Sequence, residues 1–183
     1  QKLTNQFTKH YRYETIKKYD AIIFLSSPYE YMALSKNVPR AFKFSKNIDF
    51  VRVAFGNLPK GSKVAVRSHP NQLNDKSWKV ETRDLEAFCR KLGIDYFRPD
   101  SDISSFSLIR NSGLTIVDLS SAGLDAIFMN KPVQIYGTPT YKLCYESAKR
   151  NNGTPKGVII DVAYSMKALQ YIFDNDLVGF PRL

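Results

Sequence analysis

Residues 114–136 read LTIVDLSSAGLDAIFMNKPVQIY. Leu114 to Val117 is a short, β-branched apolar run. Ser120-Ser121-Ala122-Gly123 punctuates it, and Ala122 to Met129 then has helix length and composition. After Asn130-Lys131 a second apolar run spans Pro132 to Tyr136. Strand, loop, single helix and strand is the signature of a βαβ crossover, which joins parallel strands. The rest of the chain follows the same rhythm. Strands are predicted at Ala21–Leu25, Lys63–Arg67, Ile94–Phe97 and Val158–Ile160. Helices are predicted at Phe44–Leu58, Glu81–Leu92, Ser104–Arg110, Thr140–Lys149 and Met166–Phe173. The first two helices carry apolar stripes, Ile48/Val51/Phe55 and Leu85/Phe88/Leu92, and Gly93 is placed to close the second. The expected fold is α/β: a Rossmann-like parallel sheet of about six strands with helices on both faces. Residues 20–175 form the core of a single domain, 1–19 a basic lead-in and 176–183 a tail.

Composition narrows the function. With 43% hydrophobic and 13% aromatic residues the 183-residue chain can build a core. Its longest apolar runs, such as Ala21 to Leu25, are far too short to span a bilayer. The first residue is Gln1 rather than Met, which reads as a fragment of a longer polypeptide. Cys89 and Cys144 have no second Cys or His at ligand spacing, which speaks against zinc and for a reducing, cytoplasmic setting. With only His10 and His69, a multi-histidine metal centre is excluded. The 27 Lys and Arg against 17 Asp and Glu give a net charge of +10. That charge implies an anionic partner: a nucleic acid, an acidic membrane surface or a phosphorylated small molecule.

In an open parallel sheet ligands bind beyond the carboxyl ends of the strands, so the loops that follow strands are the informative ones. Arg67-Ser68-His69-Pro70-Asn71 brings a guanidinium and an imidazole onto one loop, where both can donate to a phosphate. His69 has no carboxylate in sequence to orient it as a general base, which favours binding over proton transfer. Ser120 and Ser121 can cap the helix that follows. Ala122 and Gly123 keep its first turn open to an approaching phosphate. A capped helix start with no ligand fits the same four residues. Asp125, four residues after Ser121, shares that helix face and can accept from a ribose diol; it also fits as a solvated acid near a helix start. Ser26 and Ser27 end a strand, and Glu30 is either an acid beside the reacting centre or an exposed loop charge. The polar stretch from Phe97 to Ser105 can present backbone groups to a nucleobase and holds a helix cap at Asp102 or Ser104. No Walker A, G-x-G-x-x-G or G-x-S-x-G motif is present, which argues against an NTPase, a dinucleotide oxidoreductase and an α/β serine hydrolase.

The Arg-Ser-His-Pro-Asn loop followed by residues 117–141, VDLSSAGLDAIFMNKPVQIYGTPTY, resembles the C-terminal, donor-binding half of GT-B glycosyltransferases of the capsular and surface polysaccharide type. The His-Pro and Ser-Ser motifs are similar to those of bacterial polysialyltransferases, 3-deoxy-octulosonate transferases and CDP-glycerol polymerases. The resemblance covers roughly residues 20–160 and implies a nucleotide-activated sugar as substrate, no cofactor and a metal-independent reaction. It gives His69 the donor phosphate, Ser120 and Ser121 the phosphate or nucleotide, and Asp125, where Glu is frequent, the ribose. A cytidine nucleotide is the favoured donor and a uridine diphosphate sugar the second. The acceptor, a glycan or lipid-linked glycan, is expected on an N-terminal half or partner chain, and contact with the inner face of an anionic membrane is compatible. The competing expectation is a non-catalytic basic module for nucleic acid or membrane. Its basic residues are spread rather than massed, and no nucleic-acid motif accompanies them.

Overall fold

A computed structural model describes residues 17–27, 44, 46–74, 78–137 and 158–160. Six strands form one sheet: β1 (Tyr19–Phe24), β2 (Val64–Arg67), β3 (Asp95–Phe97), β4 (Ser112–Val117), β5 (Val133–Ile135) and β6 (Val158–Ile160). Their spatial order is β3-β2-β1-β4-β5-β6. The first five are parallel, with Ile23 level with Val66 on one side and Ile116 on the other. This is the α/β, Rossmann-like architecture the sequence predicts, with one correction. Val158–Ile160 joins the edge antiparallel, pairing Val133 with Ile160 and Ile135 with Val158. A three-residue apolar run carries no direction of its own, and an antiparallel edge on a parallel sheet is common.

β1 is central because the run from Ala21 to Leu25 can be buried on both sides, and all five residues are at most 4% exposed. Its alternate residues feed two cores. Ala21, Ile23 and Leu25 pack with α1 (Asn47–Gly56) and α2 (Trp78–Lys91) on one face. Ile22 and Phe24 pack with α3 (Ser105–Arg110) and α4 (Ala122–Phe128) on the other. The chain thus winds from β1 outward to β3 on one face, then returns to β4 beside β1 and continues on the second face.

Both helical stripes shift from the expected ones. α1 buries Asn47, Phe50, Val51 and Ala54 and leaves Ile48 and Phe55 half-buried, and it begins three residues later than Phe44. α2 buries Thr82, Leu85 and Cys89, whereas Leu92 lies past the helix end at 37% exposure. Gly93 closes α2 as expected: at φ 69° it lets Ile94 N donate to Cys89 O at 2.9 Å. Asn130 does the same for α4 at φ 58°, with Lys131 N donating to Ala126 O at 2.9 Å. The helices expected at Thr140–Lys149 and Met166–Phe173 lie outside the described residues, as do most of the lead-in and the tail. Among the described residues no helix is long and apolar enough to cross a membrane.

Candidate functional site

The order 3-2-1-4-5 puts the topological switch point between β1 and β4, where chain leaving one strand turns away from chain leaving the other and opens a crevice. A cleft of about 360 Å³ lies there, within the size range of small-molecule sites. Phe24 and Leu25 at the end of β1 contribute apolar surface. Arg67 through Asn71 form one wall; Ser120, Ser121, Ala122 and Asp125 form the other. Ser105 and Phe106 at the start of α3 complete the lining.

Arg67 ends β2 and is only 5% exposed. Its Nη1 donates to Arg98 O and its Nη2 to Ser101 O at 3.1 Å, which pins the loop between β3 and α3. Its Nε is buried without a hydrogen-bond partner, and among the described residues no carboxylate pairs with it. Burial lowers its pKa; the more distant Asp100 opposes that shift. The guanidinium nonetheless stays charged, as arginine does in proteins. A desolvated cation satisfied only by carbonyls leaves a positive potential in the cleft it lines.

His69 is half-buried beside it. Its Nδ1 accepts from Asn71 N at 3.1 Å, so in the neutral ring the proton resides on Nε2. Burial and then repulsion from Arg67 push its pKa below 6.5. The imidazole is therefore neutral at pH 7 and keeps one N–H donor. Pro70 opens a 3-10 turn, Pro70–Asn74, with Gln72 N donating to His69 O at 3.0 Å, which fixes the loop. Beneath this loop the Ser68 hydroxyl pairs with that of Tyr96.

The opposite wall departs from the expected capping. Ser121 already has helical torsions, φ −62° and ψ −14°, and its hydroxyl makes no cap bond. Ser120, one residue earlier and 3% exposed, accepts from Ala122 N at 3.3 Å instead. That leaves Ser121 exposed in the cleft wall. Asp125 lines the cleft half-buried.

Arg67, His69, Pro70, Asn71, Ser120, Ser121, Ala122 and Asp125 thus meet in one cleft, although they derive from two segments fifty residues apart. Gly123 is buried in the first turn of α4 and is not part of the lining. Ser26 is not brought there either: it is fully buried, and its Oγ accepts from Leu119 N at 3.2 Å, tying the end of β1 to the loop after β4. Ser27 is buried outside the lining, and Asp102 is exposed outside it. The helix cap expected at Asp102 or Ser104 is Ser104, whose Oγ accepts from Phe106 N at 3.2 Å. Glu30 lies outside the described residues. Among the described residues no three His, Cys, Asp or Glu side chains group as metal ligands. Sequence reasoning missed Phe24, Leu25 and Phe106 as lining, whereas Ser68 and Ser105 lie in loops that it points to. The first two were readable from the strand-end rule, since they close β1 at the switch point.

Fold and cleft together define a doubly wound α/β domain with an open binding crevice at its switch point. Residues 4–147 match the family of capsule polysaccharide biosynthesis proteins, and the chain belongs to that family. Its setting is therefore the assembly of a capsular polysaccharide. A search of curated proteins finds no match.

Proposed function

We infer that the chain is the donor-nucleotide-binding half of a glycosyltransferase of capsule synthesis, taking a nucleotide-activated sugar in the cleft between β1 and β4. The carrying observation is the buried guanidinium of Arg67, whose Nε has no hydrogen-bond partner and which no carboxylate among the described residues pairs with, beside a neutral His69 in the same cleft wall. A donor phosphate is the group that such a pair accommodates best. It offers oxygens to the imidazole N–H and supplies the charge that Arg67 lacks. The exposed Ser121 hydroxyl donates from the facing wall, and Asp125 accepts from ribose hydroxyls. The backbone of the loop that Arg67 pins, together with Phe106, meets the base. Cytidine is the favoured base and uridine the second, on the resemblance of the His-Pro and Ser-Ser loops.

In the transfer step an acceptor hydroxyl oxygen bonds to the anomeric carbon as the bond from that carbon to the phosphate oxygen breaks. The electron pair stays on the phosphate, whose growing charge meets Arg67 and His69 already in place, and that preorganisation is the catalytic contribution assigned to them. The acceptor hydroxyl loses its proton to a base on the acceptor side, brought by a second half in the same or another polypeptide.

Thermal-shift titration with CMP, CDP, UDP and GDP tests the reading. A ligand at a hundred times its dissociation constant stabilises by about 2.7 kcal/mol, a shift of several degrees for a chain this size. Stabilisation by a pyrimidine nucleotide that His69→Ala abolishes supports donor binding. No shift with any nucleotide, or one that His69→Ala leaves intact, removes the assignment.

A further inference from the structure

The opposite edge of the sheet carries a second feature, independent of the donor cleft. An open groove of about 500 Å³ runs along the amino ends of the strands, lined by Lys63, Lys18, Arg110 and Lys131. Each cation lies just ahead of a different strand. Lys18 immediately precedes β1 and Lys63 immediately precedes β2. Arg110 ends α3 two residues before β4, and Lys131 lies two residues before β5. Since the sheet runs β2-β1-β4-β5, the cations form a row in the order Lys63, Lys18, Arg110, Lys131. Strand spacing sets their strands about 5 Å apart, so the four span about 15 Å across the sheet.

Lys131 is held in this row, and among the described residues its lysines stand without a carboxylate partner. Lys131 follows the αL turn at Asn130, and its Nζ donates to Arg110 O at 2.9 Å and Ser112 O at 3.1 Å, both neutral carbonyls. Asp20 is the one acid in the lining, and its Oδ2 accepts from the backbone N of Lys63 at 2.7 Å. Among the described residues no carboxylate pairs with Lys18, Lys63 or Lys131. Lys18, Lys63 and Arg110 are exposed.

We propose that this amino-edge row docks the domain on a membrane surface rich in anionic lipid headgroups. Three features select a lipid surface over a bound polyanionic chain. The groove is open rather than enclosing, and lysines outnumber the single arginine, which suits a diffuse layer of charge better than bidentate recognition. Its only aromatic, Tyr19, is 6% exposed and offers no platform for a base or sugar ring. Docking through this edge also leaves the cleft, at the opposite ends of the same strands, open to solutes arriving from water.

The test is co-sedimentation of the full chain with vesicles of 30% phosphatidylglycerol in phosphatidylcholine and with vesicles of phosphatidylcholine alone, at 50 and 300 mM salt. Wild type binds the anionic vesicles only, and binding falls steeply with salt as screening shortens. Lys18→Gln/Lys63→Gln loses about 25-fold in partitioning, fivefold per charge, the equivalent of about 1 kcal/mol each. Lys79→Gln/Arg83→Gln, exposed on α2 and equal in net charge change, stays within about twofold of wild type. Among the described residues neither Lys18 nor Lys63 makes a side-chain hydrogen bond, so melting of the first pair is expected to be unchanged. Equal losses in both pairs would reduce the effect to net charge and overturn the proposal. So would equal binding to neutral vesicles, or retention on sulfated dextran or RNA without retention on vesicles.

Discussion

The two ends of one parallel sheet treat polar groups in opposite ways. At the carboxyl edge Ser26, Ser68 and Asp118 are fully buried, Ser120 is 3% exposed and Arg67 5%. At the amino edge Lys18, Lys63 and Arg110 stand in water. A desolvated charge interacts strongly over a few ångströms and tolerates only a partner of fitted geometry, whereas a solvated one acts weakly, over a Debye length, on anything of opposite sign. The same fold thereby offers one edge suited to selection and another suited to attraction. The difference arises from what surrounds the charges, since both edges are built from strand ends.

Two glycines probe that contrast most forcefully. A Cβ on Gly137, after β5 at the carboxyl edge, would sit 2.4 Å from Asp118 Oδ1 and 2.7 Å from Asp118 O. Because the second of these is backbone, relief requires the chain to move. Gly137→Ala is expected to cost about 3 kcal/mol. Gly61, at the amino edge, has φ +83° and nothing within 4 Å of its virtual Cβ, so Gly61→Ala carries only the left-handed backbone penalty of about 1 kcal/mol. Urea denaturation of both variants gives the comparison directly. Equal losses would mean that the carboxyl edge is no more tightly packed than the amino edge.

The edges also separate on a pH axis. His69 has its pKa lowered below 6.5, by burial first and then by Arg67. The unfolded chain therefore takes up the proton before the folded one. Stability from this group is complete above pH 6.5 and drains away as pH falls through the folded-state value, with a slope of at most about 1.4 kcal/mol per unit. His69→Gln flattens that part of the stability curve. At the amino edge Asp95 is raised by burial but lowered further by its bonds from Lys17 and Tyr19, to a net value below 3.8. Its stabilisation is present above pH 3.8 and is lost only below it. A donor phosphate in the cleft favours the imidazolium, so nucleotide binding near pH 6 is expected to take up a proton. Calorimetry in two buffers of different ionisation heat measures that uptake, and its absence in wild type would separate His69 from the ligand.

How much of this was legible in the sequence follows from the range of the forces involved. Strand positions were readable because runs such as Ala21–Leu25 are apolar throughout, and Gly93 announced the end of α2 through its freedom at positive φ. The convergence of Arg67 and His69 with Ser120, Ser121 and Asp125 was readable because parallel topology fixes which loops share an edge. What stayed hidden depended on contacts between distant segments. Ser26 looks like a loop hydroxyl until Leu119, 93 residues away, is seen to claim it. Arg67 looks like a phosphate ligand, and only the structure shows two of its donors spent on the loop at Arg98 and Ser101. Ser121 and Ser120 are indistinguishable as caps in sequence, and the torsions choose Ser120. The row of lysines escaped notice for the same reason, as its members are scattered from position 18 to 131.

Thr115 sets how far the polar edge reaches into the sheet. It lies mid-strand in β4 between Ile22 and Val133, is fully buried, and its Oγ1 has no hydrogen-bond partner. Its place on the strand is two residues short of the end of β4, among side chains that form the apolar core beneath α3 and α4. An unpaired buried hydroxyl is destabilising, and valine keeps the branched shape and β-propensity while removing it. Thr115→Val is therefore expected to gain about 1 kcal/mol, read as a rise in the urea midpoint without a change in slope. A gain in stability with nucleotide binding intact would draw the boundary of the functional edge at Asp118 and beyond. If stability rose but nucleotide stabilisation fell, the cleft's polar influence would extend a full turn of the pleat deeper, and the hydroxyl would be retained for binding at the expense of the fold.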